Sequence, residues 1–165
     1  MATGFYTIMA FLLPANAVCA AIAFAYYKND FSSCWQCHLG IEISDSELEK
    51  WTNKFSELVL QKVVESPYVI GAQETIANLS SIYDQYIITG TPQNEIELIC
   101  EQLEITHLFK QICGSPTNKI KWSDKLMANF GLSANEVIFV GDATTDYEAA
   151  NHHNFHFVLR EHEEN

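Results

Sequence analysis

The chain has 165 residues, enough for one domain with a substantial hydrophobic core, and a formal net charge of −12 from 9 basic and 21 acidic side chains. That charge argues against nucleic acid and anionic membrane surfaces as partners, because both require clustered Lys and Arg. A small phosphorylated metabolite stays possible, because a metal ion and one lysine can supply positive charge locally. The five cysteines are scattered and odd in number, so we expect no disulfide framework, and Cys100 and Cys113 should be buried free thiols.

Residues 1–40 form an atypical apolar N-terminal segment, and residues 1–27 carry no charged side chain. Residues 5–27 are long enough to cross a bilayer as a helix, and Lys28 directly after them favours a cytoplasmic location for the rest of the chain. Pro14 and Asn16 within the run weaken this prediction of a membrane anchor. A buried segment, a disordered segment, or sequence foreign to the following domain are the alternatives.

The chain becomes regular from residue 43 onward. Ser44 and Glu47 form a capping box, so a long amphipathic helix is predicted from there to about Ser66, ended by Pro67. From residue 72 strands and helices alternate, which indicates a parallel sheet flanked by helices and hence an α/β, Rossmann-like fold. The expected strands are 86–89, 111–113, 137–140 and 155–159, and the expected helices are 71–79, 92–103 with Thr91 as cap, 119–130 and 147–151.

Two carboxylates follow the apolar strand 137–140, beyond a glycine. Asp142 and Asp146 should lie at the carboxyl end of this strand, where open α/β sheets bind ligands. Carboxylate oxygens suit Mg²⁺. The alternative is that Asp142 or Thr145 only caps a helix that begins at Tyr147.

Two further strand ends carry polar groups. Thr89 follows two isoleucines, and its hydroxyl with the N–H groups of Gly90 and Thr91 could hold a phosphate oxygen; the alternative is a capping threonine. Lys119 opens a helix, where a cation is disfavoured by the helix dipole, which indicates an anionic partner elsewhere; the alternative is a solvated lysine. A hydroxyl, a lysine and two acids converging on one sheet edge would hold a phosphoryl group and a metal.

In this arrangement the chain resembles the haloacid dehalogenase (HAD) superfamily of hydrolases, over roughly residues 41–160. Residues 87–91 resemble its second motif, 114–119 its third and 140–146 its fourth. The resemblance implies a phosphate contact from Thr89, stabilisation of the charged intermediate by Lys119, and Mg²⁺ held by Asp142 with Asp146 in support. It also implies a truncated helical cap at residues 41–66 and a HAD-like core at 67–165, as in phosphoglycolate phosphatase-like members.

The chain departs from this family at the first motif. HAD hydrolases carry Asp-x-Asp after a central strand, where the first Asp attacks the phosphoryl group; no Asp-x-Asp occurs in this chain, and its first Asp is Asp30. A central sheet position cannot stay empty, because neighbouring strands would lose their backbone partners. We predict residues 21–27 as a substitute strand, which would place Asp30 where it could at best mimic the acid-base residue.

The implied activity is Mg²⁺-dependent hydrolysis of a small phosphate ester, impaired by the missing nucleophile. The alternatives are a phosphate-binding pseudoenzyme or gene fragment and, more distantly, a haem or redox protein. The latter rests on Cys34, Cys37 and His38, which fit Cys-x-x-Cys-His, although we favour the interpretation of two loop thiols and a surface histidine. His152 and His153 are adjacent on a helix and point different ways, so we expect surface or capping histidines.

Overall fold

A computed structural model describes residues 6–9 and 44–161. The chain divides into two compact units, one of residues 1–12 with 68–165 and one of residues 13–67. The described part of the second unit is chiefly a single long helix, α1 (Asp45–Glu65), with Ser44 as its N-cap. The predicted capping box is present, because the Ser44 side chain accepts from the Glu47 N–H and the Glu47 carboxylate accepts from the Ser44 N–H.

The first unit contains a five-stranded sheet in the order β3-β2-β1-β4-β5, and every neighbouring pair is parallel. Strand order 3-2-1-4-5 is that of Rossmann-type folds, so the predicted fold class is confirmed. The strands are β1 (Tyr6–Met9), β2 (Gln85–Pro92), β3 (Gln111–Ser115), β4 (Val137–Gly141) and β5 (His156–Leu159).

Four helices connect the strands: α2 (Ala72–Ser80), α3 (Gln93–Gln102), α4 (Lys119–Phe130) and α5 (Thr144–His153), with 3-10 turns at Thr106–Leu108 and Ala134–Glu136. Helix α4 has the predicted bounds, because Asn118 caps its start and Gly131, at φ 66°, ends it. Helix α3 begins at Gln93, so the prediction of Thr91 as its cap is wrong. Strand β2 continues through Thr91 and pairs Pro92 with Ser115, which moves the helix start by one residue.

The central sheet position is held by β1, between β2 and β4. Ile8 lies opposite Tyr86 on one side and Phe139 on the other. The prediction that residues 21–27 fill this position is therefore wrong, although the prediction that the position must be filled is correct. Residues 21–27 and Asp30 themselves lie outside the described residues.

The predicted membrane helix over residues 5–27 begins instead with a sheet strand, Tyr6–Met9, and residues 10–27 are not described. Among the residues that the structure describes, no helix has the length and apolar character needed to cross a membrane. The Cys34, Cys37 and His38 motif also lies outside the described residues.

Helices pack against the sheet through an apolar core. Ala149 and Ala150 are fully buried and let α5 approach the sheet closely. The main core cluster also draws on β2, β3, β4 and α4, and comprises Tyr86, Ile88, Cys113, Leu126, Leu132, Val137, Phe139, Ala149, Ala150 and Phe155. Burial of this apolar surface is the main stabilising contribution to the first unit.

Where the register between β2 and β3 shifts, a side chain forms hydrogen bonds to the backbone of β3. Gln93 donates from Nε2 to the Ile112 carbonyl at 2.9 Å and accepts the Gly114 N–H at Oε1 at 2.5 Å. Gly114 has to lack a side chain, because a Cβ there would lie 2.6 Å from the Thr91 carbonyl oxygen. This amide therefore holds the end of β3 against the start of α3.

Cys100 and Cys113 are fully buried and unpaired, as predicted. Burial raises the pKa of each thiol from about 9 to about 12. We expect neither thiol to react with iodoacetamide at pH 8 in the native protein, because the thiolate is the reactive form, and both to react in urea. Peptide mass spectrometry after labelling measures this, and native labelling at either position would contradict the packing.

Between pH 9 and 12 the unfolded chain releases protons that the folded chain retains, so these thiols lower stability as the pH rises.

Candidate functional site

Thr89 and Asp142 lie at the same level on either side of the central strand. Met9 of β1 pairs with Ile87 of β2 and with Val140 of β4, and Thr89 and Asp142 each follow two residues later. Two strand spacings separate them, about 10 Å. Because all these strands are parallel, both residues lie at the carboxyl edge of the sheet, where ligands bind in this fold.

Lys119 contacts one of the two acids. Its Nζ donates to Asp146 Oδ1 at 2.5 Å, and the lysine side chain is 17% exposed while the aspartate is fully buried. The sequence indicated an anionic partner for Lys119, and that partner is Asp146. Lys119 sits at the start of α4 and Asp146 in the first turn of α5, so this ion pair fixes the two helices to each other at the sheet edge.

Asp146 also begins α5. Its Oδ2 accepts the Ala143 N–H at 3.1 Å, so the helix starts at Thr144, earlier than the predicted Tyr147, and the N-cap is Ala143 rather than Asp142 or Thr145. The carboxylate lies directly against β4: a Cβ on Gly141 would be 2.4 Å from the Asp146 Cβ and 2.5 Å from its Cγ. Only glycine at 141 therefore allows Asp146 to reach both of its partners.

Thr89 and Thr91 form a buried hydroxyl pair at the end of β2. Their Oγ1 atoms are 3.2 Å apart, and the Thr91 N–H donates to Thr89 Oγ1 at 3.3 Å. The Thr89 side chain is therefore held in one orientation, with the partly exposed Gly90 beside it. Thr89 does not cap a helix; its hydroxyl oxygen instead accepts the Thr91 N–H at the end of β2.

Asp142 directly follows β4, and its side chain is only 6% exposed. Arg160 Nη1 lies 3.4 Å from Asp142 Oδ2, and the Arg160 backbone N–H donates to the Gly141 carbonyl at 2.8 Å. The sequence does not single out Arg160, because a lone arginine after the last strand belongs to no motif. Its position becomes informative only when β5 is known to pair with β4.

The two acids differ in their fit to a metal ion. Asp142 offers a carboxylate at the sheet edge, a donor suited to Mg²⁺, whereas both oxygens of Asp146 already accept protein hydrogen bonds. Asp146 thus fits a supporting role better than direct coordination. Within residues 6–9 and 44–161, no group of three His, Cys, Asp or Glu side chains could hold a metal ion.

One residue of the histidine pair connects two helices. His152 is exposed as predicted, but the His153 side chain is only 8% exposed, so the prediction of a surface or capping residue is wrong for it. Its ring stacks on Phe155, and its Nε2 lies 3.2 Å from the Ile120 carbonyl oxygen. This contact joins the end of α5 to the first turn of α4, next to Lys119.

A curated relative shares part of this sequence. A phosphoglycolate phosphatase of Aliivibrio fischeri is 30% identical over 73 residues, which are 41% of this chain and 32% of that protein. The chain thus matches about a third of the length of this relative.

Solved structures share the fold at lower identity. A predicted phosphoglycolate phosphatase from Haemophilus somnus superposes with a TM-score of 0.72 at 16% identity, covering 96% of this chain and 86% of that one. The Bacillus subtilis protein YfnB, described as a HAD-hydrolase bound to magnesium, gives a TM-score of 0.62 at 13% identity, covering 94% and 88%. At such identities the likeness shows the fold alone.

The family model described as haloacid dehalogenase-like hydrolase matches residues 28–159. The matched range includes Thr89, Lys119, Asp142 and Asp146 and begins after β1. The chain therefore belongs to the haloacid dehalogenase-like hydrolase family.

Proposed function

We propose that this chain binds a small phosphate ester together with Mg²⁺ at the carboxyl edge of its sheet, and that it hydrolyses the ester poorly or not at all. The observation that carries the proposal is the common level of Thr89 and Asp142 across β1, with the Lys119–Asp146 pair beside them. Hydroxyl, ammonium and carboxylate groups in one place supply the contacts that a phosphoryl group and a hard cation require.

Each side chain has a distinct role in this proposal. Thr89 donates its hydroxyl to a phosphoryl oxygen, and the Gly90 N–H assists it. Lys119 neutralises the phosphoryl charge, while Asp146 positions the ammonium group and does not contact the ligand. Asp142 is the metal carboxylate. A bound Mg²⁺ would supply charge neutralisation at the phosphoryl oxygens.

Catalysis is a separate matter, because the sequence lacks the expected nucleophile. Residues 1–29 contain no Asp or Glu, and no Asp-x-Asp occurs anywhere in the chain. Without an attacking carboxylate the covalent route through an aspartyl-phosphate is closed.

Calorimetric titration with inorganic phosphate, with and without MgCl2, tests the binding site. The wild type should bind, and Thr89→Val and Lys119→Met should each weaken binding about tenfold or more, since each removes a hydrogen bond to a charged group. Thr89→Ser keeps the hydroxyl and Lys121→Met removes an exposed lysine two residues away, so both should bind like the wild type. Equal binding by all variants would contradict the site.

Hydrolysis of p-nitrophenyl phosphate with MgCl2 tests the activity. We expect no release above the background of MgCl2 alone. Turnover that survives Asp30→Ala and disappears in Asp142→Asn would show that another residue acts as nucleophile, and the chain would then be an active phosphatase. A haem protein would be distinguished from this proposal by a Soret band in the absorption spectrum of the purified chain.

A further inference from the structure

Thr91 lies two residues after Thr89 on strand β2. Residues two apart on a strand project to the same face of the sheet, so the two hydroxyl groups lie side by side. Their Oγ1 atoms are 3.2 Å apart, and the Thr91 backbone N–H donates to Thr89 Oγ1 at 3.3 Å. Thr91 therefore offers Thr89 two hydrogen-bond donors, one from its backbone and one from its side chain.

The backbone of Thr91 is held in place by β3. Its carbonyl oxygen lies so close to Gly114 that a Cβ there would be 2.6 Å away, and the next residue, Pro92, pairs with Ser115. Thr91 is only 4% exposed, so its hydroxyl is largely shielded from solvent. Within the described residues, that hydroxyl has Thr89 Oγ1 as its one hydrogen-bond partner. The orientations of the two hydroxyl groups therefore depend on each other.

The direction of the bond between the two hydroxyl groups decides what Thr89 can offer a ligand. A threonine hydroxyl has one hydrogen to donate and two lone pairs with which to accept. The Thr91 backbone N–H occupies one lone pair of Thr89 Oγ1. When the Thr91 hydroxyl donates to the other lone pair, Thr89 keeps only its own hydrogen for a ligand. When Thr89 donates to Thr91 instead, that hydrogen is no longer available.

We propose that Thr91 is a positioning residue for anion binding: its hydroxyl donates to Thr89, so that the Thr89 hydroxyl donates outward to a phosphoryl oxygen. This inference rests on the phosphate contact proposed for Thr89. Hydrogen bonds in such a chain polarise one another, which strengthens the bond to the ligand. Because both lone pairs of Thr89 are then occupied, this end of the site selects ligand oxygens that only accept hydrogen bonds.

Calorimetric titration of Thr91→Val with inorganic phosphate and MgCl2 tests this role. Valine has nearly the shape of threonine and keeps the backbone N–H, so only the side-chain donor is lost. Phosphate affinity should fall about fivefold, the typical contribution of one hydrogen bond. Thr91→Ser keeps the hydroxyl and should bind like the wild type, as should Thr75→Val, which removes an exposed hydroxyl from α2. Thr91→Ala replaces Thr91→Val if circular dichroism shows that valine prevents folding.

The double variant Thr89→Val/Thr91→Val distinguishes positioning from a general loss of structure. If Thr91 acts through Thr89, adding Thr91→Val to Thr89→Val should weaken phosphate binding no further. The same loss in both backgrounds, a loss in Thr91→Ser, or wild-type affinity in Thr91→Val would overturn the inference and leave the phosphate site standing. Wild-type affinity in Thr89→Val, or no phosphate binding by the wild type, would overturn the proposed phosphate contact and this inference with it.

Discussion

Lys119→Met should destabilise the protein by about 3–5 kcal/mol, because it leaves the fully buried carboxylate of Asp146 without its cation. Methionine preserves most of the lysine stem, so the loss comes from the charge rather than from packing. Urea unfolding followed by circular dichroism measures the free energy of unfolding. Binding of inorganic phosphate should weaken in the same variant at temperatures where it stays folded.

The companion variants decide whether charge is the cause. Lys119→Met/Asp146→Asn removes both charges and keeps an oxygen for the Ala143 N–H, so it should be more stable than Lys119→Met alone. Lys121→Met removes an exposed lysine from the same helix turn and should change stability by less than about 0.5 kcal/mol. A double variant no more stable than Lys119→Met would show that the ion pair does not determine the stability of this edge.

Gly141→Ala should cost about 2–4 kcal/mol, through overpacking and through displacement of Asp146. The added methyl group would meet three atoms of Asp146, with Oδ2 at 2.8 Å, and Asp146 has no space to retreat because it is fully buried. Urea unfolding again gives the magnitude. The Lys119 contact should weaken with it, so this variant should also lose affinity for inorganic phosphate.

Gly131→Asn provides the matched control for Gly141→Ala. Gly131 has positive φ but open space around it, and asparagine tolerates this conformation, so the change should cost no more than about 1 kcal/mol. Wild-type stability in Gly141→Ala would mean that the close approach of α5 to β4 is not required.

Much of the fold was accessible from sequence because local signals were strong. The capping box at Ser44 set a helix start that agrees with the structure, and so do the bounds predicted for the helix 119–130. The bounds at Thr91 and Tyr147 were wrong, since tertiary contacts moved them. At the first, pairing between β2 and β3 extended the strand; at the second, the Asp146 carboxylate started the helix early.

The residues of the candidate site also differ in whether the sequence alone could predict their position. Thr89 and the two aspartates follow strands and Lys119 opens a helix, so a shared sheet edge could be predicted from the alternation of elements, and the contact between Lys119 and Asp146 agrees with that prediction. Arg160 could not, because its relevance depends on strand β5 lying beside β4. Nor could the identity of the central strand, since both 6–9 and 21–27 are apolar and only pairing distinguishes them.

The position of β1 makes the order of assembly of this sheet unusual. Strands β2 and β3 are near each other in sequence, as are β4 and β5, but β1 lies roughly 80 residues from β2 and roughly 130 from β4. Closing such long loops is entropically costly, so the two local pairs should form early and be joined late. Until then each pair presents an open edge that a second chain could occupy, and refolding yield should fall as protein concentration rises.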